Sequence, residues 1–135
     1  MVLDTCILFA ALRSSAGASF RIVDSLPAKM FTPIVSTPLF FGYEEVLCRP
    51  RQFARLTRRD VDDFLDYFAA VSEFQRIDFL WRPFLPDPDD DLVLEVAVAG
   101  RADAIVTYNL KDFVGSDRLG VRIIRPQDFV KETRI

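Results

Sequence analysis

The sequence predicts an α/β domain in which helices cover both faces of a mainly parallel sheet. Short apolar runs alternate with segments of helical periodicity along all 135 residues, and this alternation is typical of consecutive βαβ units. Polar residues follow three of the apolar runs, where parallel sheets bind ligands. Because 50% of the residues are hydrophobic, we expect one domain, residues 1–135, with a well-filled core.

Four strands and four main helices are predicted along the chain. The strands are expected at 2–4, 31–36, 104–109 and 121–126. The helices are expected at 15–26, 37–49, 57–74 and 89–103, with a loop or short helix at 109–113 and a last helical turn at 127–132. Apolar residues spaced three or four apart justify the helices, and short runs of β-branched and other apolar residues justify the strands.

Helix boundaries follow from capping residues. Thr37 is a suitable N-cap, with Pro38 in the first turn. Thr57 is the expected cap of the strongly amphipathic helix, whose apolar positions predict one buried face. The helix of residues 89–103 has acidic residues in its first turn and Gly100 at its end, as helix termini favour.

The composition excludes several kinds of active site. The chain has no histidine and only two cysteines, so Ser-His-Asp and Cys-His catalysis, His-rich zinc sites and Cys-only zinc sites are excluded. Cys6 and Cys48 are expected to be free thiols in a reducing cytosol, because two cysteines do not form a disulfide framework. No apolar run reaches membrane-spanning length and no basic leader precedes one, so a cytoplasmic protein without a membrane is expected.

The charges are clustered. Four aspartates, Asp87, Asp89, Asp90 and Asp91, precede the predicted helix of residues 89–103. A helix N-terminus stabilises a negative charge by only about 0.3–1 kcal/mol, so a divalent cation would explain the cluster better. Asp4, which closes the first strand, would then be a second carboxylate ligand, and Mg²⁺ or Mn²⁺ prefers such oxygen ligands. A solvated, N-capping turn is the alternative interpretation of the cluster.

Two other α/β classes with acidic sites fit the sequence poorly. A receiver domain needs an acidic pair after the first strand and an aspartate at mid-chain, but the strand at 31–36 ends in Ser36 and is followed by Thr37. A haloacid-dehalogenase-like phosphatase needs Asp-x-Asp after the first strand, and the run Asp4-Thr5-Cys6 lacks the second aspartate.

The chain resembles the PIN domain, and in particular the toxin components of toxin–antitoxin systems related to VapC-type ribonucleases. The resemblance is carried, in order, by VLDTCILFAAL, SSAGASFRIVDSL, STPLFFGYEEVLCRP and DPDDDLVLEVAVAGRADAIVTYNLKDF. It implies a three-layer α/β/α fold with a central, mainly parallel sheet. It also implies cleavage of RNA that depends on Mg²⁺ or Mn²⁺ bound by clustered acids.

The resemblance assigns roles to individual residues. Asp4 matches the first acid of the family and Asp91 the third, while Gly42 stands where the second acid, a glutamate, is usual. Asn109 occupies the usual position of the fourth acid, so Asp112 is expected to supply its charge. The implied catalytic residues are therefore Asp4, Asp91 and Asp112, and the implied metal ligands are Asp4, Asp91 and Asn109.

Further residues are implied in supporting roles. Thr5, Glu45, Asp90 and Thr107 are expected to assist the acids, and Arg49 and Arg51, in an arginine-rich segment, are expected to position RNA. A cognate antitoxin and a second copy of the chain in a homodimer are family expectations. Because Gly42 replaces an acid, a PIN-fold protein that binds RNA or an antitoxin with weakened or lost nuclease activity is the alternative.

Overall fold

A computed structural model describes residues 1–78 and 83–135, and this part of the chain forms six α-helices and five short strands. The helices are α1 (Thr5–Arg13), α2 (Ala18–Asp24), α3 (Thr37–Leu47), α4 (Arg58–Val71), α5 (Pro88–Ala99) and α6 (Pro126–Thr133). The strands are β1 (Val2–Leu3), β2 (Ile34–Val35), β3 (Glu73–Phe74), β4 (Ala104–Val106) and β5 (Arg122–Ile124). Short 3₁₀ helices occupy Leu26–Ala28, Leu110–Phe113 and Ser116–Leu119.

All strand pairs described in the structure are parallel. Strands β1, β4 and β5 form one sheet in the order β1-β4-β5, and β2 pairs with β3. Within the first sheet, Leu3 lies opposite Val106. A hydrogen bond of 2.8 Å from the Ile34 amide to the Met1 carbonyl connects the two sheets. The prediction of a mainly parallel sheet with helices on both faces, as in an α/β/α arrangement, is confirmed.

The core lies between this sheet and the helices. Strands β1 and β4 are wholly buried, as expected for the interior of a parallel sheet. Helices α1, α3 and α5 contribute Ile7, Tyr43 and Leu94, which are inaccessible to solvent. Phe68 of α4 is also fully buried, but Phe74, predicted in the same helix, is exposed on β3. The cysteines are free thiols, as predicted.

Three local features differ from the sequence predictions. The apolar residues after Asp4 form helix α1, which was not predicted, because continuous apolar sequence does not distinguish a buried strand from a buried helix. Ser36, not Thr37, is the N-cap of α3, since the Ser36 side chain accepts the Leu39 amide at 3.2 Å. The helix predicted to reach residue 74 ends at Val71, and its last two predicted residues form β3.

Within the described residues, no single helix has both the length and the apolar character needed to cross a membrane. The bent pair Thr5–Arg13 and Ala18–Ala28 meets that criterion by length and composition alone, which buried core helices also do.

Candidate functional site

Asp4 lies at the carboxyl end of β1 and is the N-cap of α1. Its Oδ1 accepts a hydrogen bond from the Thr5 amide at 2.8 Å, and its Oδ2 accepts one from the Thr107 hydroxyl at 2.7 Å. The residue is only 7% exposed. Burial therefore raises the pKa of Asp4, although the bonds from Thr107, Cys6 and Thr5 oppose that shift.

Thr107 follows β4 and connects two parts of the site. Its hydroxyl donates to Asp4 and accepts a hydrogen bond of 3.0 Å from the Asn109 amide. Since β1 and β4 are adjacent parallel strands, their carboxyl ends meet at the same edge of the sheet, and this brings Asp4 and Thr107 together across 103 positions of sequence. The predicted supporting residues Thr5 and Thr107 thus both contact Asp4.

Asp90 and Asp112 lie close enough to Asp4 for electrostatic repulsion. Burial, and then the charges of Asp4, Asp87, Asp112 and Asp89, raise the pKa of Asp90 to about 7. The charge of Asp112 also raises the pKa of Asp4. Asp90 comes from the first turn of α5, and Asp112 from the 3₁₀ helix after β4. The fold therefore brings three carboxylates from three separate segments to one edge of the sheet.

Asp91, the residue after Asp90, binds the backbone of the segment before α5. Its Oδ1 accepts the Leu85 amide at 3.0 Å and its Oδ2 the Phe84 amide at 3.4 Å. The residue is 1% exposed. These contacts connect α5 to the segment that precedes it. The sequence assignment of Asp91 as a catalytic and metal-binding acid stays a prediction. The charge of Asp4 raises the pKa of the neighbouring Asp90.

The missing second acid leaves space on α3. A Cβ built on Gly42 meets no atom within 4 Å. Glu45, which was expected to compensate from one turn away, is 78% exposed in its side chain and lies 3.9 Å from Arg49. The structure thus shows Glu45 in a surface ion pair with a predicted RNA-positioning residue. Arg51 is exposed, with a left-handed backbone φ of 60°.

Four other side chains belong to the site but were not among the predicted site residues. The Cys6 thiol donates to Asp4 Oδ2 at 3.4 Å, and burial raises its pKa to about 11. The Tyr43 hydroxyl donates to the Leu3 carbonyl at 2.6 Å, directly before Asp4. A hydrogen bond of 2.6 Å joins the hydroxyls of Ser19 and Tyr108, the residue before Asn109. Only position in the motif could have indicated Cys6, and the other two contacts depend on tertiary packing.

The donor set decides which metal ions the site suits. Within residues 1–78 and 83–135, no group of three or more His, Cys, Asp or Glu side chains is arranged to hold a metal ion by itself. Mg²⁺ and Mn²⁺ do not need such a cage, because they are commonly bound through one or two carboxylates, water and substrate phosphates. The mutually repelling carboxylates of Asp4, Asp90 and Asp112 fit an open site of that kind.

Comparison with known families gives a match over most of the chain. The family described as PIN domain matches residues 1–111, most of the chain and all of the residues discussed in this site except Asp112. No curated protein is similar to the chain at a significant level. The matched region contains β1, whose end carries Asp4, and β4, which leads into Thr107.

Proposed function

Because the chain belongs to the PIN domain family, whose members are generally nucleases, we propose that it is a ribonuclease dependent on Mg²⁺ or Mn²⁺. The substrate class is RNA, and the bond that breaks is a phosphodiester. A toxin role, a cognate antitoxin and a homodimer are part of the same proposal, and they rest on the resemblance of the sequence motifs. A cytoplasmic location is also part of it, because two cysteines do not form a disulfide framework.

The convergence of Asp4, Asp90 and Asp112 is the observation that supports this proposal most directly. Like charges in a partly buried place oppose folding, and strongly shifted pKa values are concentrated at functional sites. An acid that only capped a helix would not need partners from two other segments. Here the partners come from the end of β1 and from the 3₁₀ helix after β4.

Each residue of the proposed metal site would have its own role. A bound divalent ion would stabilise charge on the phosphate and lower the pKa of bound water. Asp4 and Asp90 are the carboxylates that would hold the ion. Thr107 and the Thr5 amide fix the orientation of Asp4, and Asp112 adds negative charge that attracts the cation. Asn109, whose backbone amide donates to Thr107, would supply a neutral side-chain ligand in this proposal.

A cleavage assay on single-stranded RNA with Mn²⁺, Mg²⁺ or EDTA tests the proposal. We expect cleavage with metal, none with EDTA, and a loss of about 10²–10³-fold in Asp90→Asn, the usual size for removal of one group that stabilises transition-state charge. Asp66→Asn, an exposed aspartate of α4, is the matched control and should cleave normally. Cleavage that persists in EDTA, or in both Asp4→Asn and Asp90→Asn, would contradict the proposal.

A second candidate function is favoured by Gly42. Without the acid usual at that position, the protein would bind RNA or an antitoxin but cleave weakly. Gly42→Glu separates the two candidates, because the space around Gly42 admits a side chain. Gly42→Gln is the control, since it adds the same length without charge. A large gain of cleavage in the glutamate variant alone, from a nearly inactive natural protein, would support the second candidate.

A further inference from the structure

We infer that the cleft beyond the C-terminal end of α1 is a second RNA-binding site, distant from the acid cluster; this inference rests on the proposed function. The cleft has a volume of about 700 Å³. It is lined by the end of α1, by Phe20 of α2 and by the segment between α3 and α4, and its principal side chains are Arg13, Ser14, Phe20, Phe53 and Arg55.

The charge of the cleft is the first argument. The chain has 20 acidic and 17 basic residues, so carboxylates are available to neutralise every arginine. In the part of the chain that the structure describes, however, Arg13, Arg51 and Arg55 form no ion pair, whereas Arg49 and Arg58 pair with Glu45 and Asp62. Arg13 and Arg55 line this cleft and Arg51 lines a neighbouring one, and unpaired guanidinium groups at such clefts are complementary to a phosphate backbone.

The shape of the cleft is the second argument. A neighbouring cleft of about 180 Å³ contains Arg49, Arg51 and Arg58. Both clefts share Gln52, Phe53 and Leu56, so they adjoin at these residues, and we call the two clefts together the basic groove. This groove also explains how Arg51 could contact RNA without lying among the acids.

The aromatic side chains distinguish RNA from an acidic peptide. Phe20 and Phe53 are partly exposed in the cleft. Phe53 packs against Phe9, with ring centroids 5.3 Å apart, and this fixes its ring. Arginine and a fixed aromatic ring together bind a nucleotide through its phosphate and its base. A peptide rich in glutamate would use only the arginines, so the cleft fits single-stranded RNA better.

Helix α1 sets the distance between the two sites. Asp4 caps its N-terminus and Arg13 is its last residue. Its 9 residues span roughly 14 Å at about 1.5 Å per residue. At about 3.4 Å per stacked nucleotide, that distance corresponds to about four nucleotides. A stacked RNA that contacts both sites must therefore be longer than a tetranucleotide.

Fluorescence anisotropy in EDTA measures RNA binding to the cleft in the absence of cleavage. The probes are a labelled single-stranded RNA of about 12 nucleotides, within the usual range of single-strand sites, and a labelled decaglutamate peptide. The test variant is Arg13→Gln/Arg55→Gln. Its control is Arg118→Gln/Arg125→Gln, which removes the same charge from two exposed arginines outside the groove.

Loss of two phosphate contacts should make the negative slope of log K against log salt shallower by about 1.4, and should weaken RNA binding roughly 25-fold at about 0.1 M salt. The control should change neither value as much. With Mn²⁺, the test variant should slow cleavage of the longer RNA but not of a tetranucleotide.

Equal effects of the two double variants, no RNA binding, or binding of decaglutamate in preference to RNA would overturn the inference. RNA binding through the cleft without metal-dependent cleavage would overturn the proposed function and leave the inference standing. Metal-dependent cleavage together with unchanged RNA binding by the test variant would overturn the inference and leave the proposed function standing.

Discussion

Two hydrogen bonds of the Thr107 hydroxyl join it to Asp4 at 2.7 Å and to the Asn109 backbone amide at 3.0 Å. Thr107→Val keeps the shape of this buried side chain but removes both bonds. We expect the free energy of unfolding to fall by about 1–3 kcal/mol, because a buried carboxylate loses a donor. Chemical denaturation in EDTA measures the change. Thr107→Ser, which keeps the hydroxyl, should lose clearly less stability, and equal losses in both variants would show that the hydroxyl is unimportant.

The raised pKa of Asp90 makes stability depend on pH. In the folded protein the pKa of Asp90 is about 7, against an ordinary value of 3.8. Between these values the folded state binds more protons than the unfolded state, so the free energy of unfolding decreases as pH rises. Asp90→Asn should therefore be more stable than the natural protein at pH 8 in EDTA, and the difference should vanish near pH 4.

Thermal melts of both proteins across this pH range provide the measurement. Asp66→Asn is the control, because Asp66 is exposed on α4, and it should show no comparable gain at pH 8. A gap between Asp90→Asn and the natural protein that is constant with pH would contradict the electrostatic account of the cluster.

Helix α5 begins at an N-terminus that two adjacent aspartates use differently. Asp91 accepts the Leu85 and Phe84 amides and is buried, whereas Asp90 faces the charge of Asp4. Asp91→Ala should lower the free energy of unfolding by about 1–3 kcal/mol, because a buried backbone donor at Leu85 loses its acceptor. Urea unfolding at pH 7 in EDTA tests this, with Asp90→Ala as the matched variant. Greater destabilisation by Asp90→Ala than by Asp91→Ala would contradict the structural role of Asp91 as the acceptor of the Leu85 amide.

Predictability from sequence differs between elements. Helix α4 was predicted to start at the correct cap, because Thr57 and Asp60 form a capping box before a regular amphipathic pattern. Helix α1 was not predicted, because its residues are apolar on nearly every side and lack that pattern. Sequence alone does not distinguish the surroundings of Asp90 and Asp91, since both lie in the first turn and only the folded structure brings the Leu85 and Phe84 amides to Asp91.

For the whole molecule, the parallel sheet was the part of the account that sequence predicted best. Alternating strands and helices place Asp4 and Thr107 at the ends of neighbouring strands, and the structure joins them by a hydrogen bond. The basic groove could not be predicted in the same way. Arg13 and Arg55 are 42 positions apart in the sequence, and only the fold brings them to one cleft.

The central claim is that Asp4 and Asp90, assisted by the negative charge of Asp112, bind a divalent cation. Titration of the natural protein with Mn²⁺ by isothermal calorimetry tests it most directly, with Asp90→Asn and the surface variant Asp66→Asn measured in parallel. The account predicts saturable binding by the natural protein and by Asp66→Asn, and a loss of at least about tenfold in affinity, about 1.4 kcal/mol, in Asp90→Asn. No binding by the natural protein, or equal binding by all three proteins, would contradict it.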